Sequence, residues 1–576
     1  LLSDVIGIFE KKYKQQGDKL IIDAYIPDDG EYIIIDPKQD GFQILDKVYI
    51  KKDKKIKEVD RSSSYFDFIC NADYMSRYLE SNKAIGDKNI HSNNYLTFFV
   101  KKENVHNGKI TNEIIEEYYI KLKNPLIKYK TPKAKKLYIS LEKKFGEPDG
   151  AQIEKIEAWI KDNIFNLVEP ESKDKSYLKI FFKFDLETYK NESERYILAN
   201  IYNSSEYNEM INSKIYGLPN DNMGLNSKKP YLENKSRKTT IPYLISEEEV
   251  LIQKKFFDYL ANQVAVNRPN IYIQENNIAS YENDKTPDKD FCGYYLRLKK
   301  GKEVEIHDFD TIGCYKTIIS PLSLENVLQL EKSKIQYNTI HKLSTLKNVI
   351  NEVFFSNYLT TNFFTDAKDI KIKDNALKRN LLLSRTTLFS WFYKGNDNNA
   401  WKIIKQSSLD LIKGSINKGY LLKAGDQFNL RCGLKKYFEG GDNMADILAD
   451  IKNRLRTKIA SKEGTESITS DREYYFAVGQ LSNYFISLSK TKSKTHSLAN
   501  PIINAKSDDK IKEELKKLYK KYNYTIKTAS NRFNNLFAMV SSYIPEGKTM
   551  EDLIIAGYLH SNLIYEKSNK EESEDE

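Results

Sequence analysis

Tyr474–Leu488, YYFAVGQLSNYFISL, places apolar side chains at Tyr474, Val478, Leu481, Phe485 and Leu488. Steps of four and three bring these residues onto one face of a helix, with polar groups opposite. The same spacing recurs in Ile511, Leu515, Leu518 and Tyr522, and again in Phe533, Phe537, Val540 and Ile544. Pro501 and Pro545 fall in the short segments between these stretches. Several striped helices joined by short loops predict a helical bundle for the last quarter of the chain.

Upstream the period changes. KLIIDAYIP, GEYIIID and GFQILDKVYI, which begin at Lys19, Gly30 and Gly41, are β-branched runs broken by Asp and Gly, and predict an antiparallel meander. Leu96, Phe98, Phe99 and Val100 form another apolar strand, and Tyr177–Asp185 a further one. Between them GEPDG (146–150) is a turn, followed by helical spacing at Ile153, Ile156, Ile160 and Ile164. Ser246 with Glu249 makes a capping-box pattern ahead of Ile252, Phe256 and Leu260. NIYIQ returns to strand, GYYLRLKKGKEVEIHDFD reads as a hairpin across Lys299–Lys302, and from about Ser320 the text is mostly helical. The fold class expected is α+β, with a β-containing N-terminal body, a mixed α/β middle and a C-terminal helical bundle. The expected parts are a β-rich 1–130, a mixed 131–330, a helical connector 331–440, a bundle 444–565 and a disordered acidic tail 566–576.

A chain of 576 residues exceeds one hydrophobic core. Its net charge is +10; setting aside the six acids and two lysines of 566–576 raises the rest to +14. That balance favours polyanionic partners, nucleic acid first. The four cysteines are scattered without a CxxC pair, which excludes a four-cysteine zinc ribbon and suggests free thiols in a reducing cytoplasm. No run approaches the ~20 apolar residues of a membrane span, and the N-terminal LLSDVIGIFEKKYKQQ lacks the pattern of a signal peptide.

Catalytic motifs are absent: no GxxxxGK[ST], HExxH, GxSxG or EF-hand loop occurs. His307, Asp308 and Asp310 in EIHDFD are the one acidic cluster that could hold Mg²⁺ or Mn²⁺ for a nuclease, although in a strand His307 points away from the two aspartates. Binding chemistry is richer. Lys83, Lys88, His91, Asn93 and Asn94 precede the Leu96–Val100 strand, and Lys101 and Lys102 follow it. Tyr216–Lys238, YGLPNDNMGLNSKKPYLENKSRK, supplies Asn220, Asn222, Asn226, Lys228, Lys229, Lys235, Arg237 and Lys238. Lysines neutralise phosphates, asparagines can pair with an adenine edge, and Gly217 and Gly224 would allow close backbone approach.

Long stretches of the chain, among them SNKAIGDKNIHSNNYLTFFVKKEN, the Tyr216–Lys238 loop, LISEEEVLIQKKFFDYLANQ, FAVGQLSNYFISLSKTKSKTHSLANPIINA and IIAGYLHSNLIY, resemble the large subunit of the type I-B CRISPR Cascade complex. The resemblance runs over most of the length. It implies a non-catalytic, cofactor-free subunit that binds target double-stranded DNA and the displaced strand and contacts the protospacer-adjacent motif. It also implies stabilisation of the R-loop, a position near the 5′ handle of the guide RNA, and recruitment of a separate helicase–nuclease. Its partners would be the Cascade backbone and handle-binding subunits and a small subunit. RNA pairing then reads the long sequence while protein reads a short motif. The chain departs from some relatives in lacking a zinc-binding CxxC, so no metal is carried over. The alternatives are a metal-dependent nuclease using Asp308 and Asp310, and a scaffold that touches only protein.

Met444 opens the C-terminal quarter just after Glu439, Gly440 and Gly441, whose codons can contain a ribosome-binding core. The family can make its small subunit from within the large-subunit gene, which suggests Met444–Glu576 as a second product. Residues 444–565 carry 19 basic and 13 acidic side chains. Arg454 and Arg456, beside Lys452 and Lys458, with Lys490, Lys492 and Lys494 could follow a displaced strand.

Overall fold

The structure, a computed structural model, describes residues 2–38, 41–53, 59–168, 174–202, 204–212, 214–218, 244–301, 304–333, 335–492, 494–526 and 530–566. Both helix and strand are present, as an α+β chain requires. Two units emerge, Leu1–Glu282 with Gly293–Thr311, and Asn283–Cys292 with Ile312–Glu576. The break expected at 440–444 falls inside the second unit.

The first unit is built on β1 (Gly30–Lys38), β2 (Gly41–Ile50), β3 (Thr97–Lys101) and β4 (Tyr177–Phe182), in the order β2-β1-β4-β3. β1 and β2 are an antiparallel hairpin, but the other neighbour of β1 is the distant β4, and that pairing is parallel. The expected meander is corrected here: Lys19–Ile22 is a helical turn whose Ile21 belongs to another core. Tyr32 through Ile35 are all buried, so β1 is covered on both faces, as a strand with a parallel neighbour generally is. Helix Phe66–Met75 covers one face, with Phe68 against Phe181; helix Gly150–Asn163 covers the other, with Trp159 against Phe182.

Next in the chain is a three-stranded sheet of β5 (Glu209–Ile211), β6 (Lys214–Gly217) and β7 (Ile245–Ser246). From β7 the chain enters helix Glu247–Ala265, where Ser246 and Glu249 close the expected capping box. The second four-stranded sheet comprises β8 (Asn270–Gln274), β9 (Asn277–Tyr281), β10 (Phe291–Lys300) and β11 (Val304–Tyr315), ordered β11-β10-β8-β9. Val5, Phe9 and Ile21 share a core with Phe256, Leu260, Ile271 and Leu296, which joins the N-terminal helix Leu2–Gln16 to this layer.

In the second unit a strand pair, β12 (Ile318–Ser323) and β13 (Thr339–Lys342), delays the helical text until Leu343. The helices expected at the C-terminus are present as Asp471–Ser487, Asp508–Tyr522 and Asn531–Ser542. One core joins them to earlier helices: Leu448, Ile451 and Leu455 cluster with Ile412, Ile416, Phe428 and Cys432. Helix Asp471–Ser487 is buried on more than one face, because Gly479 and Gly557 let it cross helix Glu551–Leu559 at backbone distance.

Candidate nucleic-acid interface

Strand β3 and its approach hold seven of the twenty residues expected to touch nucleic acid, and the fold uses several of them itself. Asn94 is fully buried; its Oδ1 accepts from the Leu96 amide and its Nδ2 donates to the Tyr189 carbonyl. Asn93 donates to the Arg77 carbonyl. Lys102 is buried between Glu31 and Asp174, both at 3.0 Å. Lys83 donates to the carbonyls of Asn200 and Tyr202, supporting the end of helix Leu186–Asn200, and pairs with Glu80 at 3.5 Å. The expected ligand contacts of Lys83, Asn93, Asn94 and Lys102 are corrected accordingly. Buried amides and ammoniums favour partners, which the backbone and two carboxylates supply here, although Asn93 Oδ1 is buried without one. His91 is half-buried edge-on to the Tyr177 ring; burial, then Lys101 and Lys179, hold its pKa below the ordinary value. Lys88 is exposed.

Lys101 opens instead onto a cleft of about 1050 Å³ in the first unit. The cleft sits where β1 and β4 begin and β2 and β3 end, so that Tyr177 and Lys101 lie side by side in register. A Cβ on Gly30 would come 2.4 Å from the Tyr177 carbonyl oxygen; glycine is what lets β1 and β4 meet at this floor. Lys51, Lys175 and Lys300 are exposed along the walls, and Tyr49 is 56% exposed. Lys52 is anchored, donating from Nζ to the carbonyl of Ala265 at the end of helix Glu247–Ala265.

Beneath the cleft lies a charge network. Lys179, 2% exposed on β4, reaches Asp73 at 2.6 Å and Asp28 at 3.1 Å. Arg77 bonds the same two carboxylates at 2.9 and 3.1 Å, and the Tyr25 hydroxyl donates to Asp73 at 2.6 Å. The Lys179 ammonium lies 4.8 Å from the Phe99 ring centre and 5.3 Å from that of Tyr177. Two cations against two carboxylates leave the network neutral, as the burial of Lys179 and Asp73 requires, while Arg77 and Asp28 stay partly exposed. Burial alone would raise the Asp28 carboxyl, but Arg77 and Lys179 outweigh it and hold it well below the carboxylate range. Asp29, Asp53 and Asp174 line the cleft as well, and against them Lys51, Lys52, Lys101, Lys175 and Lys300 leave a small positive excess. Tyrosine faces beside exposed ammoniums can stack bases and offset phosphates. The residues missed in sequence are Lys51, Arg77, Lys175, Lys300, Tyr49 and Tyr177. The run VYIKKDKK (48–55) carried the signal, aromatic then basic.

Asn220, Asn222, Asn226, Lys228, Lys229, Lys235, Arg237 and Lys238 lie outside the described residues. The ends of their loop are held together, Tyr216 opposite Ser246 and Gly217 opposite Ile245. Gly217 has a packing role: a Cβ there would meet the Tyr202 ring at 2.3 Å.

In the second unit Arg454 is exposed and pairs with Asp450 at 2.8 Å, while Arg456 holds Glu566 at 2.7 Å. Lys452 is buried against Gln329, and Lys458 pairs with the buried Glu473. Lys490, Lys492 and Lys494 are exposed; Lys490 lies over the Tyr524 ring at 5.6 Å. Met444 starts helix Met444–Ala460, capped by Asn443. His307, Asp308 and Asp310 lie on β11, and among the described residues no group of three or more His, Cys, Asp or Glu is placed to hold a metal ion. Nor, among them, is any helix long and apolar enough to cross a membrane. Comparison with protein-family models, curated proteins and solved structures finds no match.

Proposed function

We propose that this chain binds nucleic acid without cutting it, as the large subunit of a type I-B Cascade effector in the cytoplasm. In that role it holds target duplex and displaced strand, contacts the protospacer-adjacent motif, stabilises the R-loop and the guide RNA 5′ handle, and supports recruitment of a helicase–nuclease. Two independent lines support the reading: the sequence resemblance, and the cleft of exposed lysines beside Tyr49 and Tyr177. The cleft is the observation that carries it, because its charge network is neutral and the wall lysines Lys51, Lys101, Lys175 and Lys300 outnumber Asp29, Asp53 and Asp174 beside them, leaving a positive excess for a polyanion.

The production of Met444–Glu576 as a separate small subunit belongs to the same proposal; a C-terminal tag should then give two bands, and a single band removes it. The main test is a gel-shift assay on particles reconstituted with guide RNA and sister subunits. Particles containing this chain should discriminate among adjacent motifs. Equal binding to every motif, with or without the chain, would leave only the scaffold alternative, and Mn²⁺-dependent cleavage lost in Asp308→Ala would favour the nuclease.

A further inference from the structure

A second cavity in the first unit, of about 30 Å³, lies among helices Asn112–Lys123, Pro132–Phe145 and Leu186–Asn200. That is room for roughly two or three waters, or for one molecule of about four heavy atoms. Three buried side chains that line it each carry an atom with no hydrogen-bond partner among the described residues: Asn93 Oδ1, the Tyr138 hydroxyl and Arg195 Nε. The last two can donate, and the first can only accept. Buried polar atoms are seldom left so, and three around one small space make a set of binding contacts.

Charge points the same way. Arg195 pairs with Glu192 at 3.1 Å and Lys121 with Glu117, but Lys128 meets no carboxylate among the described residues. Its Nζ donates to the Lys83 carbonyl at 2.8 Å and lies 4.8 Å from the centre of the Tyr196 ring. Burial, then the charges of Lys83 and Lys121, push its pKa down to about 7. Burial also outweighs Arg195 and raises the Glu192 carboxyl to about 7, so the wall has no surplus of negative charge.

We propose that this cavity binds one small planar oxyanion that still carries a proton, of which bicarbonate is the simplest. Its oxygens accept from Arg195 Nε and the Tyr138 hydroxyl and offset Lys128, while its own hydroxyl donates to Asn93 Oδ1. Chloride and nitrate have no proton for Asn93, and water has no charge for Lys128. The Asn93 amide is not free to turn toward a bare anion, because its Nδ2 donates to the Arg77 carbonyl. That bond also ties the cavity to the cleft, which Arg77 lines.

Binding is read on the full chain by carbon NMR with isotopically labelled bicarbonate, and by thermal melts at fixed pH and ionic strength. Bicarbonate should bind saturably and raise the melting temperature by roughly 2–3 °C at tenfold excess over its dissociation constant, with chloride and nitrate leaving it unchanged. Tyr138→Phe removes a hydroxyl that no described group engages. Lys128→Met removes an ammonium that no described carboxylate offsets, and the Tyr196 hydroxyl still holds the Lys83 carbonyl. Neither variant should lower the melt in chloride, and both should abolish the bicarbonate shift. No saturable binding, an equal shift from chloride or nitrate, or an undiminished shift in either variant would overturn the proposal. A lowered melt for Tyr138→Phe with no response to bicarbonate would overturn it in favour of waters alone.

Discussion

His560 is 4% exposed, and burial, then the charge of Lys452, pushes its pKa down to about 4. An unfolded chain titrates this ring near pH 6.5, so between about pH 6.5 and 4 the unfolded state takes up a proton that the folded state refuses. Stability is therefore lost as pH falls through that window. His560→Leu should recover about 2 kcal/mol of that loss at pH 5 relative to pH 7.5, read as a narrowing difference between paired thermal melts. Lys179 makes the opposite case. Replacing it by Met strands Asp28 and Asp73 against Arg77 alone, and should cost about 3–5 kcal/mol; an unchanged melt would show that the network does not hold the floor of the cleft. Asn93 and Asn94 show where residue-level reading failed. An amide beside lysines looks like a base-reading group, and only the tertiary fold reveals that the Tyr189 and Arg77 carbonyls claim it.

Among the elements, the crossing of helices Asp471–Ser487 and Glu551–Leu559 is the tightest joint. A Cβ on Gly479 would lie 2.2 Å from the Ile554 carbonyl oxygen, and one on Gly557 2.1 Å from that of Phe476. Gly479→Ala must push the helices apart and should destabilise by about 1–3 kcal/mol or more, visible as a lowered denaturation midpoint. The stripe Tyr474, Val478, Leu481, Phe485 and Leu488 was legible because one buried face imposes a period. The second buried face, around Gly479, was not, since small residues carry no hydrophobic signal. The capping box at Ser246 and the hairpin β10–β11 were legible for a related reason: both are local, settled within a few residues. The pairing of β1 with β4 joins residues 147 positions apart, and no local pattern announces it. The cleft arises from that pairing, so its lysines were scattered in sequence and only Lys101 stood out there.

At the scale of the molecule, the second unit constrains the internal-start proposal. Residues from Met444 onward share their core with Ile412, Ile416 and Phe428, and Arg431 bonds Asp552 at 3.2 Å. A piece beginning at Met444 uncovers those apolar contacts, so it should melt well below the full chain when made alone; equal melting would show that the bundle carries its own core. The central claim concerns the first unit: exposed lysines in a tyrosine-lined cleft hold nucleic acid. The most direct measurement is the salt dependence of nucleic-acid affinity for the reconstituted particle, with the natural chain and with Lys51→Ala/Lys101→Ala/Lys300→Ala. Each phosphate contact removed lowers the slope of log affinity against log salt by about 0.7–0.9. The account predicts weaker binding and a slope shallower by about two units or more; an unchanged affinity and slope would contradict it.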